Sequence, residues 1–124
     1  MTATKGTVAS ERNERPWGYY QTFDEGEGFL VKRICVRPGQ RLSYQRHRSR
    51  AEHWFVVDGE GVATIDGVEH RMHQGSTVDI PVGTAHRAGN DGGSDLLFIE
   101  VQTGSYLDED DIERLEDDYE REIS

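Results

Sequence analysis

From Trp17 to Gln102 the apolar residues recur in short alternating runs, broken at close intervals by turn-forming residues. This is the pattern of an all-β sandwich or barrel, not of helices. Phe29–Val36 shows it best. Leu30, Lys32, Ile34 and Val36 share one strand face, because successive side chains point to opposite sides. Arg37-Pro-Gly-Gln40 reads as a turn, and the spacing predicts further strands at 42–47, 52–57, 61–65, 68–73, 76–80, 84–88 and 95–102. Asp66-Gly67 predicts a two-residue hairpin turn of type I′, and Asn90-Asp-Gly-Gly-Ser94 a looser turn.

The period changes after Gly104. Asp108 is placed to cap a helix, with Asp111 three positions on, and Ile112, Leu115 and Tyr119 recur at i, i+3 and i+7. The expected organisation is therefore a mobile N-terminal arm over 1–14, a barrel over 15–107, and a short acidic C-terminal α-helix over 108–124 packed on the barrel.

Composition supports one folded domain. The chain has 124 residues with 34% hydrophobic content, enough for one core and too few for a second. Its longest apolar runs, Trp54–Val57 and Leu96–Ile99, are four residues each, far short of a membrane span. Met1-Thr-Ala-Thr-Lys-Gly6 lacks the apolar stretch of a secretory signal, and Cys35 is the single cysteine; a cytoplasmic protein is expected. The net charge of −10 is uneven: residues 108–122 hold ten acids and two arginines, or −8, which leaves −2 for the rest. The acidity belongs to one element, most simply as a solvated face, and nucleic-acid binding is disfavoured.

The candidate chemistry lies in two segments, Gly39–Gly59 and Gly75–Asn90. Gln45 and His47 are two apart and share a face, with Ser43 in register. Glu52 follows on the next strand, sharing its face with Trp54 and Val56, and His86 comes after the Pro81-Val-Gly83 turn. In a closed barrel these two imidazoles, one carboxylate and one amide oxygen converge on one divalent ion. The set suits Zn²⁺ first, with Co²⁺, Mn²⁺ or Fe²⁺ as alternatives and Mg²⁺ less natural. Ligands that leave a position open make a catalytic site. His53 points away from Glu52, and His70 and His73 lie in a polar strand and turn; solvated roles are expected for these three. Lys32 is a candidate catalytic amine if its face is core, since a buried lysine is costly unless paired or working. Glu100 and Gln102 raise the same question beside Leu96 and Phe98. Arg33, Arg50 and Arg87 are candidates for holding a phosphate through paired guanidinium contacts.

These segments together resemble the type II mannose-6-phosphate isomerase domain of the cupin superfamily, usually the C-terminal part of bifunctional mannose-1-phosphate guanylyltransferases. The matching residues are Arg15-Pro-Trp-Gly-Tyr19, Val31-Lys-Arg-Ile34, Pro38-Gly-Gln-Arg-Leu-Ser43, Gln45-Arg-His47, Arg50-Ala-Glu-His-Trp54, Ile80-Pro-Val-Gly83, His86, Asn90, Ile99-Glu-Val-Gln102, Gly104, Tyr106-Leu107 and the Glu109-Asp-Asp-Ile112 run. Glu116-Asp117 and Tyr119 continue the match, which covers about residues 14–121. The resemblance implies a cupin double-stranded β-helix, a metal held by Gln45, His47, Glu52 and His86, and interconversion of mannose 6-phosphate with fructose 6-phosphate. It also speaks against the dioxygenase cupins, in which three histidines and a carboxylate commonly hold iron. Lys32 or Glu100 is then the expected base, Gln102 a substrate contact, a homodimer the expected assembly, and polysaccharide precursor metabolism the expected setting. Two departures stand out. Ser49 occupies a position where members often show a histidine, and Tyr119-Glu-Arg121 replaces a common Tyr-Gly-Arg ending. With no Gly-rich nucleotide-binding segment, a stand-alone isomerase is expected, and a metal- and sugar-binding cupin without turnover, or an isomerase or epimerase of another sugar phosphate or nucleotide sugar, is the alternative.

Overall fold

The computed structural model describes residues 11–119. Eleven strands form two antiparallel sheets. The first sheet runs in the order β1 (Asn13–Arg15), β2 (Gly18–Gly26), β3 (Phe29–Val36), β10 (Leu96–Gly104), β5 (Arg50–Asp58), β8 (Thr77–Ile80). The second runs β11 (Glu113–Glu116), β4 (Tyr44–Arg46), β9 (His86–Gly89), β6 (Gly61–Ile65), β7 (Val68–Met72). This is the all-β cupin architecture. Each predicted strand is present, and β6 has the predicted bounds. Asp66 and Gly67 have φ of 51° and 81°, the two positive values that a type I′ turn requires. Among the described residues there is no helix long and apolar enough to cross a membrane.

Alternation on β3, β10 and β5 fills the interior. Phe98 is in register with Ile34 on one side and Val56 on the other, and Leu96 pairs with Val36. Trp54 packs on Phe98 with ring centroids 4.7 Å apart. Ala63, Met72 and Ala88 close the core from the second sheet. Two steps further along the same strands the inward residues become polar: Lys32 pairs with Glu100, and Gln102 with Glu52, all four buried. Gly104 ends β10 where the backbones crowd. A Cβ there would lie 2.0 Å from the Ser49 carbonyl oxygen, so only glycine fits this approach to the segment that follows His47.

The expected C-terminal helix is not formed. Residues 113–116 are instead the strand β11, pairing with the edge of β4 through Glu113↔Arg46, Arg114↔Gln45 and Glu116↔Tyr44. A helix there would carry acids along its whole length, including its C-terminal end, where the dipole disfavours them. As a strand the segment satisfies the open edge of β4 and meets three arginines. Glu113 accepts from Arg46 at 2.8 Å, Glu116 from Arg87 at 2.6 Å, and Asp118 from Arg41 at 2.7 and 2.9 Å. Asp108 accepts a turn hydrogen bond from the Asp111 N–H, 3.1 Å, and caps no helix. Residues 120–124 of the expected helix and 1–10 of the expected arm lie outside the described residues. Asn13–Arg15, counted in or beside that arm, is paired with β2.

Candidate metal centre

Two strands and two strand ends bring the predicted ligands together. β4 presents Gln45, directly opposite His86 at the start of β9, and His47 lies two residues further on. The turn that leads to His86 is tied to the same stretch, because the Gly83 N–H donates to the His47 carbonyl at 2.9 Å. Glu52 comes from β5 in the facing sheet. His47, Glu52 and His86 are all buried, and one donor atom from each lies within 4.8 Å of the others. The Nε2 of His47 is 3.2 Å from Glu52 Oε2, and the Nε2 of His86 is 3.7 Å from Glu52 Oε1.

Each imidazole is aimed by its other nitrogen. His47 Nδ1 donates to the Asp111 carbonyl at 2.7 Å, and His86 Nδ1 donates to the Thr84 carbonyl at 2.8 Å. This fixes the tautomer that leaves both Nε2 lone pairs facing Glu52, the usual outer arrangement of a metal-ligating histidine. Gln45 gives its amide N–H to Ser43 Oγ at 2.9 Å, so its amide oxygen is the end left for a cation. Burial pushes the pKa of His86 down, which keeps the ring in its neutral, ligating form. Burial alone would raise the pKa of Glu52, but contact with His47 when that ring carries a second proton, and the charge of Arg50, outweigh it and hold the carboxyl below its ordinary range. Trp54 Nε1 donates to Glu52 Oε1 at 2.9 Å. The donor set fits a borderline divalent ion.

The other predicted residues divide. Arg50 belongs to the cluster: its Nε donates to Glu52 Oε2 at 2.9 Å, and it reaches His47 Nε2 at 3.0 Å. Glu100 and Gln102 lie in the adjoining buried row, Gln102 donating its amide N–H to Glu100, while the Gln102 amide oxygen is buried without a partner. Burial first, and then the charge of Glu52, push the Glu100 carboxyl up to about 7. Lys32 is buried, with its ammonium paired to Glu109 and 4.3 Å from the centre of the Tyr20 ring. Arg33 is not brought in. It alternates with Lys32, so it sits on the outer face of β3, over the Phe23 ring at 4.8 Å. Arg87, next to His86, spends its guanidinium on the Leu42 carbonyl at 3.0 Å and on Glu116. His53 pairs with Asp79 outside the barrel at 2.6 Å, and His70 and His73 are exposed.

A strap over residues 105–112, linking β10 to β11, covers this group. Beneath it is a cavity of about 90 Å³ lined by Lys32, Gln45, Arg50, Glu52, His86 and Glu100, among others, with Arg15, Glu109 and Arg114 around it. On the strap's other side is an open depression of about 790 Å³, reached by His47, Ser49, Tyr106, Asp110 and Asp111. Ile112 borders both. Asp111 anchors the strap: besides its carbonyl on His47, its carboxylate accepts from the N–H groups of Arg48 and Ser49, both at 2.9 Å. Glu109, Asp111, Arg15 and Arg114 carry roles that strand periodicity does not reveal. Arg15, Glu109 and Asp111 lie in the segments that resemble the isomerase family, and Arg114 only within the overall span of that match.

A model of the family described as mannose-6-phosphate isomerase C-terminal matches residues 4–117. The chain belongs to this family. Among the relatives of this isomerase C-terminal domain, the alginate biosynthesis protein AlgA of Pseudomonas aeruginosa is 51% identical over 107 residues, 86% of this chain and 22% of AlgA. The mannose-1-phosphate guanylyltransferase ManC of Salmonella typhimurium is 49% identical over the same shares. The chain thus spans about a fifth of the length of these relatives. In solved structures, the capsular polysaccharide assembling protein CapF of Staphylococcus aureus superposes with a TM-score of 0.76 at 25% identity, covering 86% of this chain and 34% of CapF. A cupin-superfamily sugar phosphate isomerase from Silicibacter pomeroyi shares the fold, with a TM-score of 0.59 at 24% identity over 68% of this chain and 59% of that one.

Proposed function

We propose that this chain is a metal-dependent aldose–ketose isomerase interconverting mannose 6-phosphate and fructose 6-phosphate, with zinc held by Gln45, His47, Glu52 and His86. The observation that carries the reading is a near-neutral buried carboxyl, Glu100, in the row next to a His–Glu–His group inside a fold of this family. The reaction moves a proton between C1 and C2 through a cis-enediol. When bound, the divalent ion supplies polarisation of the carbonyl and stabilisation of the developing oxyanion.

The chain's own residues do the rest. A carboxyl with a pKa of about 7 is half ionised at neutral pH and suited to take a proton and return it. Of the two candidate bases, Glu100 is the assignment, because Lys32 is engaged by Glu109. Gln102 orients Glu100 through its amide N–H. Arg50 fixes Glu52 and keeps it ionised. Apolar walls at Trp54 and Ile34 restrict water around the row.

A coupled assay for fructose 6-phosphate, with the protein stripped and reloaded with Zn²⁺, Co²⁺, Mn²⁺ or Mg²⁺, tests this directly. Turnover with at least one ion is expected. Tight metal binding without turnover from any of them would sink the isomerase reading in favour of a sugar-binding cupin. One observation favours that second reading: Ser49 borders the large depression beside His47 and offers a hydroxyl where family members often place an imidazole.

A further inference from the structure

With the strap in place, the cavity above the His–Glu–His group holds about 90 Å³. Pockets for small organic ligands run to roughly 300–1,000 Å³, so a hexose phosphate needs the strap to lift. Three points of contact hold the strap down. Two are the Asp111 contacts to His47 and to the 48–49 backbone. The third is the pairing of Glu109 with Lys32. That third contact has a particular setting. Lys32 is 5% exposed at its side chain, whereas Glu109 is 60% exposed, so a solvated carboxylate caps a buried ammonium at the cavity mouth. Arg15, Arg50 and Arg114 line the same cavity. Arg114 is in register with Gln45 and so shares its inward face; its Nε is buried without a partner. Arg15 stands at the rim against Tyr20, its guanidinium 3.3 Å from the phenol oxygen.

Lys32, Arg50 and Arg15 therefore act on a single strap carboxylate, with Arg114 on the same cavity wall beside Arg87, whose guanidinium is held by Leu42 and Glu116. What burial Glu109 has disfavours its charge, but Lys32 first, then Arg50 and Arg15, hold its carboxyl below the usual range. Arg50 also serves Glu52, which leaves Lys32, Arg15 and Arg114 as cations without a structural carboxylate of their own other than Glu109. A phosphate dianion offers more charge and more acceptor oxygens than one carboxylate, and guanidinium groups bind it in paired contacts.

We propose that Glu109 is a resident anion at a phosphate-binding corner formed by Lys32, Arg15, Arg114 and Arg50, and that the substrate's phosphate displaces it as the strap opens. This rests on the sugar-phosphate reading given above. It assigns phosphate recognition to residues other than Arg33 and Arg87, and it makes the Glu109–Lys32 pair the latch of the strap. Opening joins the small cavity to the large depression, since residues 110–112 are the wall between them.

The probe is inorganic phosphate, titrated by calorimetry into the full-length, zinc-loaded protein. Glu109→Gln removes the competing charge and keeps the shape, so phosphate should bind about tenfold tighter than to the parent. Adding Arg114→Gln or Arg15→Gln to that variant should cancel the gain. No tightening in Glu109→Gln overturns the proposal, and so does a gain that survives both arginine changes, because the phosphate is then held elsewhere, such as on the metal. Melting temperature and zinc stoichiometry verify folding, and Glu109→Ala replaces Glu109→Gln if the latter fails that check. Mannose 6-phosphate turnover in the same preparations separates the two claims. Tighter phosphate without turnover keeps the corner and removes the isomerase, whereas turnover with unchanged phosphate affinity does the reverse.

Discussion

The two ends of the barrel interior are built on the same three strands and are similarly buried, yet their contents are opposite. At one end Ile34, Val36, Val56, Leu96 and Phe98 interlock, and at the other Lys32, Glu52, Glu100 and Gln102 occupy equivalent inward positions. Phe98 and Gln102 are both 0% exposed, so burial does not tell the two ends apart. Their energetics do. Burying a large apolar side chain contributes about 1.5–3 kcal/mol, whereas a buried polar group left unpaired, such as the Gln102 amide oxygen, costs about 1–3 kcal/mol. The apolar end holds the fold together. The polar end adds no comparable burial energy and carries an unpaired group.

The largest expected effect lies at the apolar end. Phe98→Ala should lower the unfolding free energy by about 3–5 kcal/mol, equally in zinc and in chelator, as read by urea titration. If zinc restored the loss, the two ends would not be separable. At the polar end, Glu100→Gln should cut kcat about a hundredfold while leaving the protein folded. With the parent protein, kcat/KM should rise as pH passes up through about 7, because the base works when deprotonated. Stability should move the other way. The folded pKa of about 7 lies above the ordinary 4.5, so between these values the folded state keeps a proton that the unfolded state has lost. Stability from this group is therefore present at low pH and declines from about pH 4.5 to 7, and in metal-free protein Glu100→Gln should flatten that decline.

His86→Ala sharpens the same contrast from the metal side. Zinc at a hundred times its Kd should stabilise the parent by about 2.7 kcal/mol and His86→Ala by far less, measured as the zinc-dependent shift in urea midpoint. The smallest effect expected is that of Asp111→Ala. It frees the Arg48 and Ser49 N–H groups and loosens the carbonyl that aims His47, so zinc affinity should fall about tenfold, read by competition with a chromogenic chelator. An unchanged affinity would make the strap a bystander to the metal group.

Local rules reached the strands, the Asp66-Gly67 turn and the convergence of His47, Glu52 and His86, because each depends on two-residue alternation and on turn residues next to one another. The same alternation puts Arg33, which adjoins the inward Lys32, on the outer face over Phe23, whereas Arg87 is buried beside His86 with its guanidinium on the Leu42 carbonyl and Glu116. The tail departs from its helical spacing for a different reason. Ile112, Leu115 and Tyr119 do fall at helical spacing, but the segment's partners are the edge of β4 and Arg41, Arg46 and Arg87, more than twenty residues distant in the chain. No local pattern reports them. The short strand β1 and the long hairpin strand β2 leave little mark in the sequence, because Asn13–Arg15 and Thr22–Gly26 carry little apolar alternation. The cationic corner was hidden for the same reason as the tail, since Arg15, Lys32 and Arg114 meet only in the folded chain.

The hydrogen bond from Trp54 to Glu52 gives the metal group an optical handle. The indole N–H donates to the same carboxylate that faces both imidazoles, and the ring stands 6.0 Å from that of His86. A cation that draws on Glu52 shifts the electron density this N–H meets, so the emission of a buried tryptophan should change in colour and intensity as the site fills. Trp17 supplies the only other indole signal, and a Trp17→Phe background leaves Trp54 to report ion arrival in real time, without label or substrate.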